Sequence, residues 1–71
     1  MKKEGLKRFV VVDEKGRYIA NALPKGDDVY ATTKDIYKAD LFLTKEGAKH
    51  TAWDEDVRGV IKEVQIIIKE V

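Results

Sequence analysis

YATTKDIYKADLFLTKEGA, residues 30–48, decides how the rest of the chain is read. Its second half is a helix start. The Thr44 hydroxyl can accept from backbone N–H groups two or three residues on. Glu46 suits the positive end of the helix that follows. The spacing predicts a helix from 45 to about 54. Ala48 and Ala52 share one face, and two alanines let a helix approach a sheet closely. Trp53 adjoins that face and is expected to be buried there as its bulk. Leu43, just before the cap, is placed to staple against Ala48. Gly47 weakens the first turn by about 1 kcal/mol relative to alanine. Asp54-Glu55-Asp56 lies at the negative end, where carboxylates are disfavoured, and should stop the helix.

The first half of the stretch reads as a strand handing the chain to that helix. Residues 29–32 predict a short third strand. Thr33 or Asp35 caps a single turn through Ile36, Tyr37 and Ala39. Leu41-Phe42-Leu43 then returns the chain to the core.

Upstream, LKRFVVV at 6–12 predicts a strand, because Phe and Val pack well on a pleated surface. Leu6, Val10 and Val12 share one face; Phe9 and Val11 share the other. Asp13 suits the first position of a turn, and Gly16 supplies its left-handed residue. RYIANAL, 17–23, completes an antiparallel hairpin. PKGDD, 24–28, is a loop.

Downstream, VIKEVQIIIKEV at 60–71 predicts the last and longest strand. Val60, Val64, Ile66 and Ile68 fall on one face. Glu63, Gln65 and Lys69 fall mostly on the other, interrupted by Ile61, Ile67 and Val71. A strand this apolar is expected at the centre of the sheet. At an edge, its VQIII core would invite pairing with another chain. The whole is therefore expected to be one α+β domain, residues 1–71: a small, mostly antiparallel sheet in the order β-β-β-α-β, with one helix packed on one face.

With the residues placed, a likeness emerges. The order of a Lys-rich hairpin, YATTKDIYKADLF, TKEGAKHTAW and a Val/Ile strand resembles small phage- and prophage-encoded proteins of unknown function. The matching positions are Tyr30, Asp35, Lys38, Ala39, Phe42, Thr44, Lys45, Glu46 and Ala48. Gly47 departs from the second acid usual there. The resemblance covers the C-terminal two-thirds of the chain and implies an accessory protein. It implies no catalytic residues.

Composition narrows the function classes. The 71 residues are 44% hydrophobic and 38% charged, too apolar for disorder, with a net charge of +1 that argues against a strongly basic nucleic-acid binder. The charge is uneven, at +4 over residues 1–25, −4 over 26–56 and +1 over 57–71. Such a split can steer a partner, or let opposite ends attract across one small fold. Cysteine is absent, which excludes disulfides and thiolate metal sites. The longest apolar run after Lys2 and Lys3 is Phe9-Val10-Val11-Val12, too short for a signal core or a membrane span, so a soluble cytoplasmic protein is expected.

No motif carries catalysis. There is no serine, and His50, the one histidine, points away from the alanine face. Asp27-Asp28 and Asp54-Glu55-Asp56 lack the spacing of a calcium loop. No glycine pattern cradles phosphate. The reading is a non-enzymatic protein of unknown role, a phage-type accessory or protein-interaction module, with no metal, cofactor, small-molecule ligand or membrane indicated. Tyr30 and Tyr37 are the candidate partner surface, Tyr37 being the aromatic expected outside the core. Pairing of an edge strand with a second copy or another protein is the other route. The alternative is a weak nucleic-acid-binding domain. It would use Lys7, Arg8, Lys15 and Arg17 of the basic first hairpin, where Phe9 and Tyr18 are interleaved.

Overall fold

The computed structural model describes residues 5–24, 26 and 30–67. In chain order it contains β1 (Leu6–Asp13), β2 (Tyr18–Ile19), β3 (Thr32–Thr33), a 3₁₀ turn (Ile36–Lys38), α1 (Lys45–Asp54) and β4 (Gly59–Ile66). The strands form one antiparallel sheet in the order β3-β2-β1-β4. This is the α+β architecture that the helix start and flanking strands predict.

The first hairpin closes on Asp13. Its carbonyl accepts from the Gly16 N–H at 3.0 Å, and its N–H donates to the Arg17 carbonyl at 2.8 Å. Gly16 sits at φ 79°, the left-handed region that glycine reaches without steric cost. The buried Asp13 carboxylate accepts from the backbone N–H groups of Lys15 and Arg17 at 2.9 and 2.8 Å, and from Arg17 Nε at 3.2 Å. Three donors, one of them charged, offset the desolvation of that carboxylate.

β1 occupies the centre. β4 pairs along its whole length, from Leu6↔Ile66 to Asp13↔Gly59. On the other side lie β2, through Val12↔Tyr18, and a single bridge to Phe42. Alternation along β1 makes two apolar layers. Val11 and Ile19 are buried beneath Ala48 of α1, with Phe9, Phe42, Ala52 and Ile61 around them. Val10 and Val12 are buried on the opposite face with Ala39, flanked by Tyr18 and Val64. The second layer is lidded by the chain that follows the 3₁₀ turn. Each fully buried Val or Ile contributes about 1.5–3 kcal/mol.

Capping follows the expected chemistry. The Thr44 hydroxyl accepts from the Gly47 N–H at 3.0 Å. Asp35 caps the 3₁₀ turn, its carboxylate accepting from the Tyr37 N–H at 2.9 Å. α1 ends at Asp54, with Glu55 as its cap and Asp56 at φ 53°.

Several expectations need correction. The closing strand lies at an edge of the sheet, not its centre. β1 outcompetes it because Val10-Val11-Val12 is buried on both faces, the pattern of an interior strand. β4 is broken by Lys62, Glu63 and Gln65, all exposed. Trp53 is not buried; it is 84% exposed. It follows Ala52 by one residue, about 100° around the helix, which turns it off the alanine face. Leu43 is 72% exposed and is not a buried staple for Ala48; of Leu41, Phe42 and Leu43, only Phe42 joins the core. β2 is shorter than 17–23 because the chain turns after Ala20, whose carbonyl accepts from the Leu23 N–H at 3.0 Å. The third strand is Thr32–Thr33 and the last is Gly59–Ile66. Val29 and residues 68–71 of the expected strands lie outside the described residues.

Candidate protein-binding edge

The side chains singled out from the sequence do not converge on one surface. Lys7 pairs with Gln65 on the helix face, whereas Arg8 pairs with Val64 on the other. Arg8 Nη1 donates to the Lys7 carbonyl at 2.7 Å. Lys15 is exposed at the turn, about 20 Å from Lys7 at the ~3.4 Å rise of a strand. Arg17 is half-buried, its Nε held by Asp13 at 3.2 Å. Tyr18 flanks the layer beneath Ala39, and Phe9 the layer beneath α1. The basic hairpin is thus two pairs of cations at opposite ends of β1, with its aromatics committed to packing.

The tyrosines are also separated. Tyr30 is half-buried against the Val11–Ile19–Ala48 layer. Tyr37 is 94% exposed. It lines an open concavity of about 420 Å³ with Ile36, Leu41, Val64, Ile66 and Ile67. A second open concavity, about 610 Å³, is lined by Lys49, Ala52, Trp53, Asp56, Val57 and Ile61. β4 contributes to both, so its outer edge runs between two partly apolar hollows.

The backbone of β4 supplies the chemistry of this edge. Phe9 and Phe42 exchange two backbone hydrogen bonds, each 2.8 Å. Odd-numbered residues of β1 therefore direct N–H and C=O away from β4, and even-numbered residues toward it. The partners of the even residues are Val60, Lys62, Val64 and Ile66, which bond inward. Ile61, Glu63 and Gln65 present N–H and C=O outward, and among the described residues no strand pairs with them. The register with β1 is continuous and contains no bulge. No proline interrupts the strand. Edges are usually blunted by such devices or by charged side chains, and Lys62 and Glu63 are the charges that β4 carries.

Several other polar side chains are held by local partners. His50 Nε2 stands 3.4 Å from the Asp54 carboxylate, and both side chains are largely exposed. The Thr33 hydroxyl accepts from the Asp35 N–H at 3.0 Å. The Asp40 carboxylate accepts from the Asn21 N–H at 3.1 Å. Among the described residues, no three His, Asp or Glu side chains gather as a metal site, and no helix is long and apolar enough to cross a membrane.

The sequence names edge pairing of the last strand as a route to a partner while favouring a central place for it; the structure puts it at the edge. The signal was present in the alternation of Lys62, Glu63 and Gln65 with apolar neighbours, which marks a strand with exposed positions. Trp53 and Leu41 are exposed although the sequence directs both to the core, and Ile36, read only as part of the capped turn, is exposed as well. Comparison with known proteins finds no family model that matches the chain, no similar curated protein and no matching solved structure.

Proposed function

We propose that this chain is a non-enzymatic protein-interaction module that accepts an extended segment of a partner along the outer edge of β4. The observation that carries the reading is the eight-residue edge itself. It offers outward N–H and C=O groups at Ile61, Glu63 and Gln65, with apolar hollows on either side. Strand addition draws affinity from main-chain hydrogen bonds and specificity from pockets for alternate side chains. Tyr37 and Trp53, both amphipathic and exposed, border the two hollows and suit an interface. The accessory, phage-type character and a cytoplasmic setting are part of this proposal, the first resting on the resemblance over the C-terminal two-thirds of the chain. Nucleic-acid contact by Lys7, Arg8, Lys15 and Arg17 is the weaker reading, because those cations are split between faces and ends of β1 and Arg17 is paired.

A nine-residue peptide copying residues 59–67, GVIKEVQII, tests the edge. Titrated into ¹⁵N-labelled protein, it should shift the amides of Ile61, Glu63 and Gln65 most and those of β2 and β3 least. Unmoved β4 amides at millimolar peptide, in protein dilute enough to show the single mass, would refute strand addition.

A further inference from the structure

We propose that the segment received by this edge is β4 of a second copy, paired antiparallel about a two-fold axis through Val64. The inference rests on the strand-addition reading and names its partner.

Self-pairing about a two-fold axis brings residue i opposite j′ with a constant sum, and opposed residues lie on the same face. The charges on β4 narrow the register. An axis through Lys62 sets Lys62 on its own copy, and an axis through Glu63 sets Glu63 on its own copy. Like charges directly opposed are destabilising. An axis through Val64 opposes no like charges. It places Val64 on Val64′, Glu63 on Gln65′, Lys62 on Ile66′ and Ile61 on Ile67′. All the residues involved lie between Ile61 and Ile67. Axes through Ile61 and Gln65 also oppose no like charges, but of residues 59–67 each aligns only five, 59–63 and 63–67, whereas the Val64 axis aligns seven.

Backbone direction agrees with that choice. Glu63 and Gln65 face outward, so in this register they exchange both hydrogen bonds with Gln65′ and Glu63′. Val64 bonds inward to β1, so Val64 and Val64′ form a non-hydrogen-bonded pair, where side chains approach most closely. Val60, 55% exposed, stands diagonal to Ile66′. Ile67, 64% exposed, gains Ile61′. Residues 59–67 carry one lysine and one glutamate, so two copies of the strand do not repel. The product is one continuous eight-stranded sheet with both α1 helices on the same face.

The chain has no cysteine, so single substitutions read the axis directly. Variants Lys62→Cys, Glu63→Cys, Val64→Cys and Gln65→Cys are oxidised under mild conditions. A cysteine bridges its own copy efficiently only at the axis. The disulfide yield should peak at Val64→Cys. Untagged protein should weigh twice its 8.1 kDa by light scattering at high concentration and fall to the single mass on dilution. Glu63→Pro removes one outward donor, which an edge strand tolerates; it should keep the native circular dichroism and weigh 8.1 kDa throughout. A peak at 62, 63 or 65 overturns the register. A single-mass wild type at millimolar concentration overturns the dimer, while the peptide titration still decides whether the edge accepts a strand. A folded Glu63→Pro variant that stays double-mass overturns the edge as the interface.

Discussion

β1 and β4 are paired side by side from Leu6↔Ile66 to Asp13↔Gly59, and both are rich in branched aliphatic residues. They end in opposite environments. Val10, Val11 and Val12 of β1 are buried, whereas every β4 residue is half-buried or exposed. The difference is the number of neighbours each strand has in the sheet, not its apolar content. β1 has β4 on one side and β2 with Phe42 on the other, and both its faces are covered. β4 has one neighbour. A strand's second edge is a chemical group in its own right, and in this chain the apolar residues sit beside it.

That comparison is broken most severely by a proline at Lys62. The Lys62 N–H bonds inward to β1, opposite Val10. Removing a ladder donor leaves the Val10 carbonyl unpaired at about 1–3 kcal/mol, and the ring adds a clash, together a large fraction of a small domain's stability. Thermal melts followed by circular dichroism read the loss. Glu63→Pro, one residue on, should leave most of the stability intact, because its N–H faces the open edge. Equal effects at the two positions would mean that the inward and outward assignments are wrong.

Valine truncations sharpen the contrast at smaller scale. Val10 is fully buried, and Val10→Ala should cost about 2–3 kcal/mol through lost transfer energy and a cavity. Val60→Ala on the exposed strand should stay within about 0.5 kcal/mol for the monomer. Urea denaturation at low protein concentration compares them directly. A large loss at Val60 would show that β4 is covered in the monomer.

Local chemistry was the legible part of this sequence. Thr44, Asp35, Asp13 and Gly16 each do what their residue type predicts, because caps and turns depend on atoms a few residues apart. α1 runs over 45–54 for the same reason. Strand order was not legible, because it depends on which of two apolar strands gains two neighbours, a competition across the whole chain. VIKEVQIII reads as interior if its isoleucines are counted and as an edge if Lys62, Glu63 and Gln65 are weighed by position. Tyr37 was read as exposed and is, while Trp53 was assigned to the alanine face although helix geometry alone turns it away from Ala52. Gly59 was not singled out at all. A Cβ there would collide with the Val12 carbonyl and the Asp13 backbone, a close approach that only the paired register reveals.

The smallest expected effect falls on Trp53, and it tests whether large means buried in a domain this small. An aromatic normally dominates the energetics of a core, so a buried Trp53 would lose about 3–5 kcal/mol on truncation to alanine. In this fold the indole stands at the rim of the hollow formed with Ala52, Val57 and Ile61, 84% exposed. Trp53→Ala should therefore change monomer stability by less than about 0.5 kcal/mol. As the sole tryptophan, it reports its surroundings without interference. Its emission should be red-shifted and readily quenched by iodide in dilute native protein, with little further change on unfolding in urea. A blue-shifted, quencher-resistant signal in the dilute monomer, together with a multi-kilocalorie loss in Trp53→Ala, would return the indole to the core. It would also remove the hollow beside Ile61 from the surface that β4 offers a partner.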